Sequence, residues 1–425
     1  MDAKLPRGYD SRRGSVVDHA PNWRNTPSRE RSCRRTDFSS KPIGDGQAAA
    51  GETDCDRSRS NRMSCAVARA EKESSGGCRA IYYRPVVDAV NRQWVLRRRP
   101  VGALRDEDFE LRDVPVPVPG PGEALIRVHW LGIDPTQRGW LNASDNYIDA
   151  VPIGAVMRGS GVGQVVRSND PDCPVGSWVA GMVGWQDYVV RSAGGLFGLN
   201  LVPDGVPPTS MLSLFGPPGL TAYFGMTDIG RPEPGRTVLV SAAAGITGSI
   251  AGQIAKALGC KVIGIAGGPE KCSWIMDHAG LDAALDYKHD DIDARLTDLA
   301  PNGVDVFFDG VGGRILEYGL AHLAPHARVV LAGAISSGYE GADPPLGPRN
   351  YMRLALDRAR MEGFIFLDYL DRFPEAFTAL REWQAQGAIT IAETVSRGLE
   401  SAPSALRAVF EGRNLGKQLV EVAEP

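Results

Sequence analysis

Several things are scarce in this chain, and each scarcity narrows what it can be. No run of about 18 apolar residues occurs, so no membrane-spanning helix is expected. The chain has only 7 Cys in 425 residues, an odd number with no C-x-x-C pair. Four of them (Cys33, Cys55, Cys65 and Cys78) lie in the first 80 residues, which leaves Cys173, Cys260 and Cys272 for the rest. That usage suits a reducing cytoplasm better than a disulfide scaffold. Basic charge is also scarce where it would matter. Residues 1–80 carry 16 Lys+Arg against 11 Asp+Glu, and residues 81–425 carry 31 against 40. An acidic body with no basic face argues against a nucleic-acid partner.

What is present divides into three kinds of sequence. The first 80 residues are rich in Ser, Arg, Gly and Asp, with few aliphatics and no periodicity. Such a segment cannot recover the entropy of ordering, so residues 1–85 are expected to be a disordered extension. A flexible tail, a targeting peptide and sequence upstream of the true start all remain open. The acidic residues and the lack of an apolar core count against targeting. Regular sequence starts near Val86, with Asn91–Leu96.

From about 94 to 210 short strands and turns dominate. Pro115, Pro117, Pro119 and Pro121 predict an extended, turning segment. A strand is expected at Glu123–Trp130, and others around 159–166, 175–181 and 185–190, in a small curved barrel. Strands and helices alternate after that. Strands are predicted at Thr237–Ala242, Lys261–Gly267, Val304–Asp309, Arg328–Ala334 and Gly363–Leu367. Helices are predicted at Gly248–Leu258, Glu270–Ala279 and 313–323. This pattern predicts a parallel sheet covered on both faces. The tail is expected to carry helices at Phe373–Gln386 and Ala402–Glu411 and strands at Ile389–Thr394 and Lys417–Val422, and to rejoin the barrel.

One turn carries chemistry. Ala242-x-x-Gly245-x-x-Gly248 follows a strand and opens a helix, where a dinucleotide pyrophosphate would meet free amides and the positive helix end. An ordinary tight turn is the alternative. The second strand ends in Gly267-Gly268 with Lys271 close behind, and no carboxylate stands there to hold the ribose hydroxyls of NAD. This favours a 2′-phosphate paired with Lys271, hence NADPH, although Lys271 alone would read as a solvated helix lysine.

Residues 89–425 resemble the zinc-free medium-chain dehydrogenases/reductases that include prostaglandin reductases, 2-alkenal (double-bond) reductases and curcumin reductases. The resemblance rests on Asn91-Arg92-Gln93-Trp94, Asp134-Pro135-x-x-Arg138-Gly139-Trp140, Val156-Met157-Arg158-Gly159 and Gly184-Trp185-Gln186-x-Tyr188. It continues in the 242–248 turn, Gly267-Gly268-x-Glu270-Lys271, Val311-Gly312-Gly313, Gly333-Ala334-Ile335-Ser336, Met361-Glu362-Gly363-Phe364 and Asn414-x-Gly416-Lys417. It implies an α/β chain in which a GroES-like β-barrel domain stands beside a Rossmann domain with a doubly wound parallel sheet. The expected division is 1–85 extension, 86–213 barrel, 214–366 NADPH-binding Rossmann domain and 367–425 return to the barrel.

The resemblance also implies roles. Gly245, Ile246, Thr247 and Gly248 would hold the pyrophosphate, and Lys271 and Tyr287 the adenosine-phosphate end. Gly333, Ala334, Ile335, Ser336, Phe364, Ile365, Phe366 and Asn414 would frame the nicotinamide. Thr136, Trp140, Tyr147 and Met157 would line the substrate pocket, and Tyr339 would stand near the substrate carbonyl. Three departures bear on this. Thr136 stands where many members have Tyr, Gly310 where many have Asn, and the segment after Ser336 is one residue longer. The activity implied is reduction of the C=C bond of an α,β-unsaturated ketone or aldehyde by a cytoplasmic homodimer. An NADPH:quinone reductase is an alternative, and so is a non-catalytic NADPH-binding redox sensor. No metal is expected, because the scattered Cys and His lack zinc-ligand spacing.

Overall fold

The computed structural model describes residues 90–143, 147–195, 198–336 and 347–424. The expected extension 1–85 lies outside the described residues, as does Tyr339.

Two strands, β1 (Val90–Leu96) and β2 (Phe109–Pro115), pair antiparallel. Isolated bridges from Gln93 to Gln186 and from Val95 to Val156 tie them to the barrel. The barrel is built from β3 (Ala124–Ile133), β4 (Ser160–Ser168), β5 (Trp178–Met182), β6 (Tyr188–Arg191) and β7 (Leu199–Leu201). A short helix, α1 (Thr136–Gly139), follows β3. The barrel core includes Leu96, Ile126, Val128, Leu131, Trp140, Met157, Val183 and Trp185. Next come α2 (Pro217–Phe224), β8 (Thr237–Val240), α3 (Ile246–Ala257), β9 (Lys261–Ala266), α4 (Pro269–Asp277) and β10 (Ala283–Asp286). They are followed by α5 (Ile292–Leu299), β11 (Val304–Asp309), α6 (Gly313–Ala321), β12 (Leu323–Leu331), α7 (Arg353–Leu356) and β13 (Arg360–Gly363).

Strands β8 to β13 form one parallel sheet in the order β10-β9-β8-β11-β12-β13. This is the 3-2-1-4-5-6 order of a Rossmann fold, with its crevice between β8 and β11. Alternate residues feed opposite faces. Val238, Val240, Val262 and Phe308 pack into one core, and Leu239, Ile263, Ile265 and Phe307 into the other. Burial on both faces explains why these strands read as unbroken apolar runs.

The tail contributes α8 (Phe373–Ala385), β14 (Glu393–Arg397), α9 (Ala402–Phe410) and β15 (Lys417–Glu421). Strand β15 pairs antiparallel with β3 and parallel with β14, so the C-terminal strand sits inside the barrel sheet. The pairing is fastened by an ion pair between Lys417 and Asp134, and the lysine has no exposed surface.

Two expected strands moved. The one expected at Gly363–Leu367 runs from Arg360 to Gly363, because Phe364 and Phe366 turn into an aromatic cluster. Phe364 meets Tyr369 edge-on, and Phe366 stacks on Phe373. The one expected at Ile389–Thr394 starts at Glu393, because Ile389 is buried against the Rossmann core before the chain reaches the barrel.

Candidate active site

The crevice between β8 and β11 is organised by two buried side chains. Ser241 Oγ donates to Asp309 Oδ1 at 2.6 Å and accepts from the Gly310 amide at 2.9 Å. Asp309 also accepts from the amides of Val311 (3.1 Å) and Gly312 (2.9 Å). It has no exposed surface, and burial pushes its carboxyl above the ordinary range. The loop after β11 is thereby fixed. It in turn anchors the 333–336 segment, since the Ile335 amide donates to Gly310 O (3.2 Å) and the Ser336 amide to Val311 O (3.0 Å). Asp309 and Ser241 were missed in the sequence. The available signal was an acid closing the apolar strand VDVFFD just ahead of a glycine-rich turn.

The 242–248 turn has the properties that an anion cradle needs. Ala242 is left-handed at φ 46°, and Gly245 is the N-cap of α3 with no side chain capping it. Among the described residues, the amides of Thr247 and Gly248 have no hydrogen-bond acceptor, while the Ile246 amide is turned toward the tail by the Gly245–Gly416 bridge. Free amides at the positive end of a 12-residue helix suit a pyrophosphate. A Cβ on Gly248 would lie 2.4 Å from Ala242 O, so only glycine allows the helix to start this close to the strand. The C-terminal tail closes over the turn. Gly245 bridges to Gly416, and Asn414 Nδ2 donates to Gly416 O at 2.8 Å.

At the far end, Lys271 Nζ donates to Gly412 O at 2.7 Å. Burial, and then the nearby Lys288, lower its pKa. The Tyr287 ring covers Gly267, where an added Cβ would come within 2.6 Å of it. The nearest acid, Asp286, accepts from the Gly268 amide (2.8 Å), the Lys288 amide (3.0 Å) and His289 Nδ1 (2.7 Å). Its oxygens hold the loop together.

The four pocket candidates separate into two pairs. Thr136 Oγ1 and the Tyr147 hydroxyl are 2.7 Å apart, and Tyr147 is 47% exposed. Trp140 is 5% exposed and Met157 fully buried, both in the barrel core. Met157 packs in the barrel core with no exposed surface. Its amide donates to Trp94 O (2.8 Å) and its carbonyl accepts from the Trp185 amide (2.9 Å). Ile335 packs against the barrel core, while Gly333, Ala334 and Ser336 are exposed beside it. Phe364 and Phe366 are half-buried in the aromatic cluster, with Ile365 half-buried between them.

Comparison with known proteins agrees with this layout. A profile described as the N-terminal domain of oxidoreductase matches residues 92–199, and one described as zinc-binding dehydrogenase matches residues 247–382. The NADPH-dependent curcumin reductase of Escherichia coli is 39% identical, over 78% of this chain and 97% of that protein. The 2-alkenal reductase (NADP+-dependent) of Nicotiana tabacum is 34% identical, over 78% and 98%. The crystal structure of CurA from Vibrio vulnificus in complex with NADPH superposes with a TM-score of 0.74 at 40% identity, covering 79% of this chain and 100% of that one.

The chain belongs to the medium-chain dehydrogenase/reductase family, with the curcumin, 2-alkenal and prostaglandin reductases.

The zinc in the second profile's description finds no donor set here. Among the described residues, no group of three or more His, Cys, Asp or Glu could hold a metal ion. Cys173, Cys260 and Cys272 are free thiols, each raised in pKa first by burial. No helix among the described residues is long and apolar enough to cross a membrane.

Proposed function

We propose that this oxidoreductase uses NADPH to reduce the carbon–carbon double bond of an α,β-unsaturated ketone or aldehyde. The observation that carries the reading is the helix-opening turn with the free amides of Thr247 and Gly248, with Lys271 and Tyr287 at one end and the Thr136–Tyr147 hydroxyl pair as a candidate for the other. When bound, NADPH supplies the hydride that the β-carbon receives. The amides of α3 hold the pyrophosphate, and Lys271 leaves Gly412 O to pair with the 2′-phosphate. The 333–336 segment and Asn414 position the nicotinamide, with Phe364–Phe366 as the wall behind it.

Negative charge then builds on the substrate's carbonyl oxygen and needs a donor. Tyr147, with its hydroxyl already held by Thr136, is that donor in the described part of the site, and the α-carbon takes its proton from solvent or from that donor. Tyr339 is proposed beside it. The barrel is taken as 86–213, the Rossmann domain as 214–366 and the returning tail as 367–425, a division supported by the β15–β3 pairing. The enzyme is proposed to work in the cytoplasm as a homodimer, which sedimentation would test.

The deciding experiment follows NADPH oxidation with a simple enone, a 2-alkenal and a small quinone in parallel, with NADH as control. Turnover of the enone or alkenal with a strong preference for NADPH is expected. Turnover of the quinone alone would replace this reading with a quinone reductase. Tight NADPH binding with no turnover would replace it with a redox sensor.

A further inference from the structure

A second cavity, of about 520 Å³, opens on the barrel. It is lined by Val156, Arg158, Met182, Gly184, Gln186, Arg191, Ser192 and the glycines at 194, 195 and 198. None of these residues belongs to the dinucleotide turn. Two features set it apart from an ordinary surface hollow. Its wall includes Ser192 and the glycines at 194, 195 and 198, which bring no bulky side chain to it. Its charge comes from two arginines, Arg158 in the loop before β4 and Arg191 at the end of β6.

Among the described residues, neither arginine is in an ion pair. Arg158 Nη1 donates to Asp149 O at 2.7 Å, and its guanidinium lies 5.4 Å over the Trp140 ring. Arg191 Nε donates to Met182 O at 3.2 Å and Nη1 to Val190 O at 2.9 Å. These partners hold each fork in place but bring no negative charge. Among the described residues, no carboxylate lies within ion-pair distance of either guanidinium, whereas Arg92, Arg98, Arg372 and Arg407 each pair with an acid. Asp149 acts on Arg158 and Glu123 on Arg191 only at longer range. Burial outweighs both and lowers the pKa of each arginine. Holding two half-buried positive charges without a counter-charge is costly, and the fork geometry of guanidinium suits a carboxylate or phosphate.

We propose that this cavity is a binding site for a small organic anion, with Arg158 and Arg191 gripping its carboxylate or phosphate group. The volume exceeds that of a bare ion, so the ligand carries a short organic body along Val156 and Met182. The inference stands apart from the reductase reading, because it concerns binding and not turnover.

The test uses full-length protein saturated with NADP+, so that the dinucleotide site is filled. Inorganic phosphate, hexanoate and the uncharged hexanamide are titrated by calorimetry. An anion should bind while hexanamide does not. Arg191→Gln and Arg158→Gln should each weaken binding roughly tenfold or more, and Arg191→Lys should recover part of the loss. Far-ultraviolet circular dichroism checks that each variant folds, and the charge-keeping Arg191→Lys serves where Arg191→Gln does not. Tighter hexanoate identifies a carboxylate ligand, and tighter phosphate a phosphorylated one. Equal binding of hexanoate and hexanamide, unchanged affinity in folded arginine variants, or no anion binding up to about 10 mM would overturn the proposal.

Discussion

The two ends of the candidate site are built from different materials. The phosphate end is main chain: free amides on α3, a left-handed Ala242, and glycines whose lack of Cβ allows close approach. It comes from one strand–turn–helix and a second strand nearby in sequence. The substrate end is side chain: Thr136 and Tyr147 stand after β3, and the β3 end that carries them is held by Lys417 from the last strand, 283 residues away. The turn itself is locally built, and the tail reaches it only as a cover through Gly412 and Gly416. The second end depends on the packing of the whole barrel.

That contrast can be broken by substitution. The largest effect is expected at Asp134. Asp134→Ala leaves the fully buried Lys417 without its partner and should cost about 3–5 kcal/mol in urea denaturation. If the two ends are independent, whatever folds should still bind NADPH but lose enone turnover. The converse is Gly248→Ala. The new Cβ meets a main-chain oxygen at 2.4 Å, and NADPH affinity should fall about tenfold to a hundredfold in fluorescence titration. An unchanged affinity would mean that the turn is not the pyrophosphate site.

Tyr147→Phe sharpens the comparison without moving the backbone. It should lower kcat for an enone about tenfold or more while leaving NADPH binding intact. A rise in KM alone would make Tyr147 a wall residue. At the other end, Lys271→Ala should weaken NADPH about tenfold and leave NADH unaffected. Equal loss for both cofactors would assign Lys271 to the Gly412 contact alone.

The smallest effect concerns barrel stability. His129 is buried against Trp178, and burial, with help from Arg127, holds its pKa below the ordinary 6.5 despite backbone contacts from Ala423 and Glu424. The fold therefore favours neutral His129. Its contribution is complete above pH 6.5 and is lost as pH falls from there through the lowered value. The Tm should drop between about pH 7.5 and 5.5, and His129→Phe should flatten that slope. An identical slope in the variant would assign the acid sensitivity elsewhere.

Much of the phosphate end was legible because its signals are local. Alanine and glycine spacing after an apolar strand places the turn, and the missing acid at Gly267-Gly268 narrows the cofactor. Asp286 escaped notice because it lies on the neighbouring strand β10, which the apolar pattern of residues 283–286 was too short to reveal. At the substrate end, residue type alone could not separate Met157, which faces inward, from Tyr147, which stays exposed. Both are large side chains that residue type leaves free to be buried or exposed, and only their place in the fold decides which.

The sequence by itself determined the alternation of elements, the helix-opening glycine turn and the acidic, cysteine-poor character of the body. These follow from side-chain period, glycine's freedom and charge, which need no partner. Tertiary structure alone decided that Lys417 secures Asp134, that Ser241 and Asp309 set the crevice, and that Arg158 and Arg191 face one cavity with no ion-pair partner among the described residues. Each of those pairs joins residues distant in the chain or on separate strands. Only strand pairing brings such groups within a few ångströms, where charge and hydrogen bonding act.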